Sequence, residues 1–192
     1  MLRRLYDWTM SLADHPKALW ALAAVSFIEA SVFPIPPDVL MIPMILAAPR
    51  RAWLIALVAT VSSVLGGLLG YGIGHFFFEG IGRPILEALG KGDHIAAFNA
   101  RFNGVGFWAV LIAGITPFPF KVITIMSGWT AMPMATFVVT AIIARSLRFF
   151  VVAGLLRAFG APIRDFIERR LGLVFTLFCV ALIGGFVLVR YL

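Results

Sequence analysis

After Lys17 the chain stays apolar through residue 33 but for a few small polar residues and one carboxylate, Glu29, and it stops at Pro34, Pro36 and Pro37. A second apolar piece, residues 38–48, opens with Asp38 and contains Pro43. Neither piece has the ~20 uninterrupted residues that a membrane span needs. Proline-rich backbone leaves carbonyls unpaired, which a bilayer tolerates only inside protein or beside a wet cavity. The pattern therefore predicts two half-length helices joined at prolines, as a re-entrant hairpin or a broken helix. Residues 52–78 follow and are long enough to span with tilt.

Residues 79–103 are the most polar stretch and predict an interfacial loop with short amphipathic helices. The earlier pattern then returns. Residues 104–116 are apolar, Pro117 and Pro119 interrupt, and residues 121–129 form another short piece before Pro133. Residues 134–156 read as a full-length segment with Arg145 and Arg148 near its middle, and residues 171–189 as a clean final span. Residues 1–14 are mildly amphipathic and suit a short helix on the membrane surface.

The two Pro-x-Pro segments lie 83 residues apart, and each half reads as short piece, break, short piece, full span and basic loop. A further offset of 78 residues matches Gly67 to Arg145 and Gly70 to Arg148. Paired interrupted segments in two halves point to a transporter's binding site. The predicted fold is an all-α integral membrane protein in a single domain, residues 1–192. Repeat halves cover about residues 17–90 and 104–170, with two re-entrant helical hairpins and about three full transmembrane helices plus amphipathic interfacial helices. Re-entrant breaks make the repeat inverted and through-crossing ones make it parallel. Basic flanks such as Arg50, Arg51 and Arg157 obey the positive-inside bias either way, and the density of prolines favours re-entry.

Composition agrees with a membrane protein. Of 192 residues, 61% are apolar and 13% charged, against about 25% charged in soluble domains. The net charge of +7 does not mark a nucleic-acid binder, because the basic residues are scattered and flank apolar stretches. Cys179, the single cysteine, reads as a buried inert thiol. The first thirty residues make a poor signal peptide, since Asp7, Asp14, His15 and Lys17 interrupt before any apolar core.

Charge inside apolar stretches changes the picture most. Glu29, Asp38, Lys121, Arg145 and Arg148 all sit where each costs roughly 2.5–3.5 kcal/mol at bilayer depth. Glu29 and Asp38 are candidates for proton coupling, or for fixed pairs with the arginines. Arg145 and Arg148, three residues apart, share a helix face and carry the planar fork that suits phosphate oxygens. Three cations against two anions leave one positive charge over, and Lys121 is the candidate for it. Gly66, Gly70 and Gly74 fall on one helical face and predict close helix packing, a dimer contact, or approach to the first proline break. His75 reads as a packed histidine. No nucleophile set, metal motif or cofactor fingerprint appears, so no enzyme, cofactor or metal is expected.

These residues resemble the DedA membrane protein family, also called the SNARE-associated or VTT-domain family. The matching pieces are the run from Glu29 to Asp38, the glycines Gly66 to Gly74, the run from Thr116 to Lys121, Arg145 and the final span. The resemblance implies two inverted re-entrant loops meeting near the middle of an inner membrane. It also implies movement of lipids such as undecaprenyl phosphate or phospholipid, with possible coupling to protons. The family's acidic residues in the first loop map onto Glu29 and Asp38, and its basic residue after the second proline onto Lys121. Many members carry another arginine about six residues earlier, where this chain has Ile115.

The expectation is a multi-pass inner-membrane flippase or scramblase-like protein that takes lipids with anionic headgroups. Lys121, Arg145 and Arg148 would hold the phosphate. The rival readings are a proton-coupled carrier of small ions or drugs and a non-transporting scaffold or assembly factor. A homo-oligomer fits any of the three.

Overall fold

A computed structural model describes residues 17–33, 35–82, 84, 92–116, 118–160 and 162. The predicted surface helix 1–14, Pro34, Pro117 and the predicted final span 171–189 lie outside the described residues. Six helices are described: α1 (Ala18–Ser31), α2 (Asp38–Ala47), α3 (Ala52–Phe77), α4 (Gly92–Ile115), α5 (Phe120–Trp129) and α6 (Met134–Gly160). No strand occurs among the described residues.

Local chemistry sets the boundaries. The last turn of α1 closes when the Val32 and Phe33 amides both donate to the Ile28 carbonyl, at 2.9 and 3.0 Å. The prolines that follow have no N–H to continue the ladder. Pro37, already helical at φ −64°, lies just before α2, and its carbonyl accepts from the amides of Leu40 and Met41. Pro49 opens a short 3₁₀ turn, Pro49–Arg51, that leads into α3. A π turn, Phe78–Gly82, extends α3 at its far end.

Length separates five of the six helices into two kinds, while α4, with 24 residues, reaches about 36 Å but carries a polar first half. At 1.5 Å per residue, the 26 residues of α3 and the 27 of α6 each reach about 40 Å. Both exceed the ~30 Å hydrocarbon thickness, and both helical runs are apolar enough to cross it. The 10 residues of α2 and of α5 reach only about 15 Å, and the 14 of α1 about 21 Å.

One expectation is corrected. Residues 92–103 are not part of an interfacial loop but the first half of α4, whose 24 residues run unbroken to Ile115. No proline stands between Pro84 and Pro117. Phe98 and Phe102, one turn apart, stack at 6.4 Å. Gly104 and Gly106 cost about 1 kcal/mol each in helix propensity, which does not break a helix.

Contacts fix the directions. Phe27 meets α3 at Gly66 and Ala30 meets it at Gly70, so α1 runs parallel to α3. Thr124 meets Gly70, and Ile125 and Trp129 meet Gly74, so α5 is parallel to α3 as well. Phe137 lies by Gly67, Arg145 by Ser63 and Gly154 by Trp53, so α6 is antiparallel to α3. Gly114 meets Ala144 and Ile115 meets Arg148, while Gly106 meets Met132 just before α6, so α4 follows α6.

Two apolar clusters fill the interior. One joins Ala18 and Leu22 of α1 to Met41 and Ile45 of α2, Ile55 and Ala59 of α3, and Phe149 and Ala153 of α6. The other surrounds Phe120 and Phe137 and includes Tyr71, Val110 and Ala141. The glycines permit the closest approaches. A Cβ at Gly66 would overlap the Phe27 carbonyl, and one at Gly74 the Ile125 carbonyl. The face Gly66–Gly70–Gly74 is therefore spent on α1 and α5 of the same chain.

Candidate functional site

Glu29 lies in the last turn of α1, close to the first break, and its side chain is 8% exposed. Oε1 accepts from the backbone N–H of Phe120 at 3.1 Å. Phe120 is the first residue of α5, where amides have no partner within the helix and a negative charge is favoured. Oε2 accepts from Arg145 Nη2 at 2.6 Å. Arg145 is 2% exposed, and its Nε donates to Ser63 Oγ at 2.7 Å. The guanidinium sits between the rings of Phe120 and Phe149, 4.6 and 4.7 Å from their centroids. This centre joins α1, α3, α5 and α6.

A second pair lies nearer the surface. Arg148 Nη2 donates to Asp38 Oδ2 at 2.5 Å, with side-chain exposures of 15% and 16%. Asp38 stands in the first turn of α2, just past the first break. Arg148 Nη1 donates to the carbonyls of Ile115 and Thr116, at 3.1 and 2.8 Å. Those carbonyls end α4 and have no onward helix to pair with. Lys121, in the first turn of α5, donates from Nζ to the Val32 carbonyl at 2.9 Å. Thr124 Oγ1 donates toward the carbonyls of Ala30 and Lys121, both at 2.9 Å. Side chains from α5 and α6 thus satisfy carbonyls that each helix break leaves open.

All five charged residues singled out in the sequence converge on the two breaks, at the level of Ser63 in α3 and of Arg145 and Arg148 in α6. These positions are near the midpoints of both long helices. Pro36, Pro37 and Pro119 flank the cluster; Pro34 and Pro117, which complete the two breaks, are outside the described residues. Along the first break the surface is apolar, with Val32 and Phe33 59% and 58% exposed and Ile35 and Val39 also exposed. His75 packs against Tyr71, with ring centroids 6.3 Å apart.

Sequence reasoning missed four partners: Ser63, Phe120, Thr124 and Phe149. Phe149 had a signal, because it lies four residues after Arg145 on the same face. Phe120 had one too, as the first amide donor after a proline. Ser63 and Thr124 look like ordinary small polar residues of a span until the helices are brought together.

Comparison with known proteins agrees with this picture. The VTT domain model matches residues 35–158, more than half the chain. An uncharacterized protein of Haemophilus influenzae is 39% identical over 168 residues, covering 85% of this chain and 87% of the relative. A homologue from Histophilus somni is 40% identical over the same length and coverage. The inner membrane protein YqaA of Escherichia coli, a DedA family member, is 24% identical over 136 residues, covering 71% of this chain and 89% of YqaA. No solved structure matches. The all-helical membrane architecture, the two proline breaks and the family match together make this chain a member of the VTT-domain, or DedA, family of membrane proteins.

Proposed function

We propose that the protein moves lipids with anionic, phosphate-bearing headgroups across the inner membrane. The observation that carries this reading is the placement of Arg148 and Lys121 where the two helix breaks meet, at mid-height of the long helices and beside an exposed apolar rim. An amphiphile needs both features together. The guanidinium and ammonium groups suit a phosphate, and Val32, Phe33, Ile35 and Val39 offer a surface along which acyl chains can stay in the bilayer.

Helix directions support a re-entrant reading. Since α1 and α3 are parallel, the stretch between them must turn back, and α2 is long enough only for half a crossing. Since α4 follows α6 and α5 follows α3, the second pair also turns back, from the opposite side. The two tips would then enter from opposite faces as an inverted repeat. Lys17, Arg50, Arg51 and Arg157 lie at the end where α1 and α3 start and α6 finishes, which assigns that end to the cytoplasm.

The roles divide by enclosure. Arg145 has no open side, so it serves by holding Glu29, while Arg148 and Lys121 meet the headgroup. Asp38 is the less enclosed of the two carboxylates and pairs with Arg148. The test is translocation of a fluorescent anionic phospholipid in reconstituted vesicles. Arg148→Ala should slow it by at least about tenfold, roughly 1.4 kcal/mol of barrier. An unaltered rate in that variant would remove the phosphate clamp. Flux of a small solute without lipid would favour an ion or drug carrier instead.

A further inference from the structure

The two carboxylate–guanidinium pairs are built differently, and the difference has a functional reading. In the inner pair both carboxylate oxygens of Glu29 are engaged, and Arg145 is held by Ser63 and enclosed by two aromatic rings. No third group can enter without dismantling it. In the outer pair Arg148 is anchored independently of Asp38, because Nη1 is fixed by the Ile115 and Thr116 carbonyls. Removing the carboxylate from Nη2 leaves the guanidinium in place, with one donor edge aimed at a half-open position. A preorganised donor of that kind binds an anion without first having to be ordered.

We infer that Asp38 is an internal competitor for the ligand. Its carboxylate occupies the position on Arg148 Nη2 that a phosphate oxygen of the headgroup takes, so the site is self-satisfied when empty and binding is an exchange of one anion for another. This rests on the reading of Arg148 as the headgroup donor and adds its regulation. Two anions cannot share that edge, because like charges at contact repel strongly in a low-dielectric site. A resident carboxylate also avoids leaving an unpaired buried cation in the empty protein. Affinity is thereby kept low enough for release on the far side.

The exchange predicts that removing the charge at residue 38 strengthens binding. Purified protein in uncharged detergent is titrated calorimetrically with dioctanoyl phosphatidic acid, with inorganic phosphate, and with dioctanoylglycerol, which lacks the phosphate. Asp38→Asn and Asp38→Ser are measured side by side, each checked for monodispersity and helix content, with Arg148→Gln as the third variant. The expected result is phosphatidic acid bound about tenfold more tightly by the Asp38 variants than by the natural protein. Arg148→Gln should lose the binding, and dioctanoylglycerol should bind all the proteins alike.

Unchanged or weaker phosphatidic acid binding in the Asp38 variants, with binding by the natural protein intact and lost in Arg148→Gln, would overturn the competitor role and leave the headgroup site standing. Natural-strength binding in Arg148→Gln, or no binding by any of the proteins, would overturn both. Equal changes for phosphatidic acid and dioctanoylglycerol would reduce Asp38 to a structural part and overturn the inference. Inorganic phosphate bound with the same ranking, and phosphatidic acid not bound, would keep the exchange and overturn a lipid as its ligand.

Discussion

Arg145 is among the most enclosed side chains described, and it is a cation. Charge so placed persists only because Glu29, Ser63 and two ring faces surround it. Removing one partner of a buried pair costs about 3–5 kcal/mol, whereas replacing both by apolar groups is often neutral. Arg145→Met alone should therefore lower the thermal midpoint in detergent sharply, and adding Glu29→Leu should restore most of it. If the double variant is no better than the single, the pair does more than balance charge. A smaller prediction concerns Ala131, between α5 and α6, with φ at 50°. Left-handed backbone costs a residue with a Cβ roughly 1–2 kcal/mol, so Ala131→Gly should raise the midpoint by a degree or more, offset in part by added freedom of the unfolded chain.

Among the elements, the α3–α5 contact is the tightest. Gly74 faces the backbone of Ile125 and Trp129, and Gly128 faces the backbone of Tyr71 and His75. Neither site admits a Cβ without parting the helices. Gly128→Val should reduce the yield of monodisperse protein severely, while Gly104→Ala, in open space, should be tolerated; size-exclusion profiles compare the two. Much of this level was legible in the sequence. Prolines marked both breaks, and hydrophobic length separated α1, α2 and α5 from α3 and α6, though it read α4 as a half-length piece. The glycine spacing marked a packing face, though not which helices would meet it. The start of α4 was not legible, because polar residues at 93–103 suggest a water-exposed loop whether or not the backbone stays helical.

The whole molecule supplies what no window of sequence contains. Glu29 and Arg145 are 116 residues apart, and Asp38 and Arg148 are 110. Two anions and three cations can be matched in several ways, and only the packed helices choose one. The same packing orients the chain. With Cys179 replaced by Ser, Arg50→Cys should react with an impermeant thiol reagent only when the cytoplasmic face is open. Gly80→Cys, exposed at the far end of α3, should react from outside. Labelling of both from one face would contradict α3 as a full crossing.

One carboxylate, Glu29, fastens the end of the first short helix, the beginning of α5 and the middle of α6 to a single point. Such a rivet stops either tip from swinging alone. In the lipid transporter proposed above, with its two re-entrant tips, alternation between inward and outward states must then carry both tips as one rocking body, or proceed beside the rivet while it stays shut. Spectroscopic distances between labels on the two tips should accordingly stay constant, while distances from either tip to the ends of α3 change.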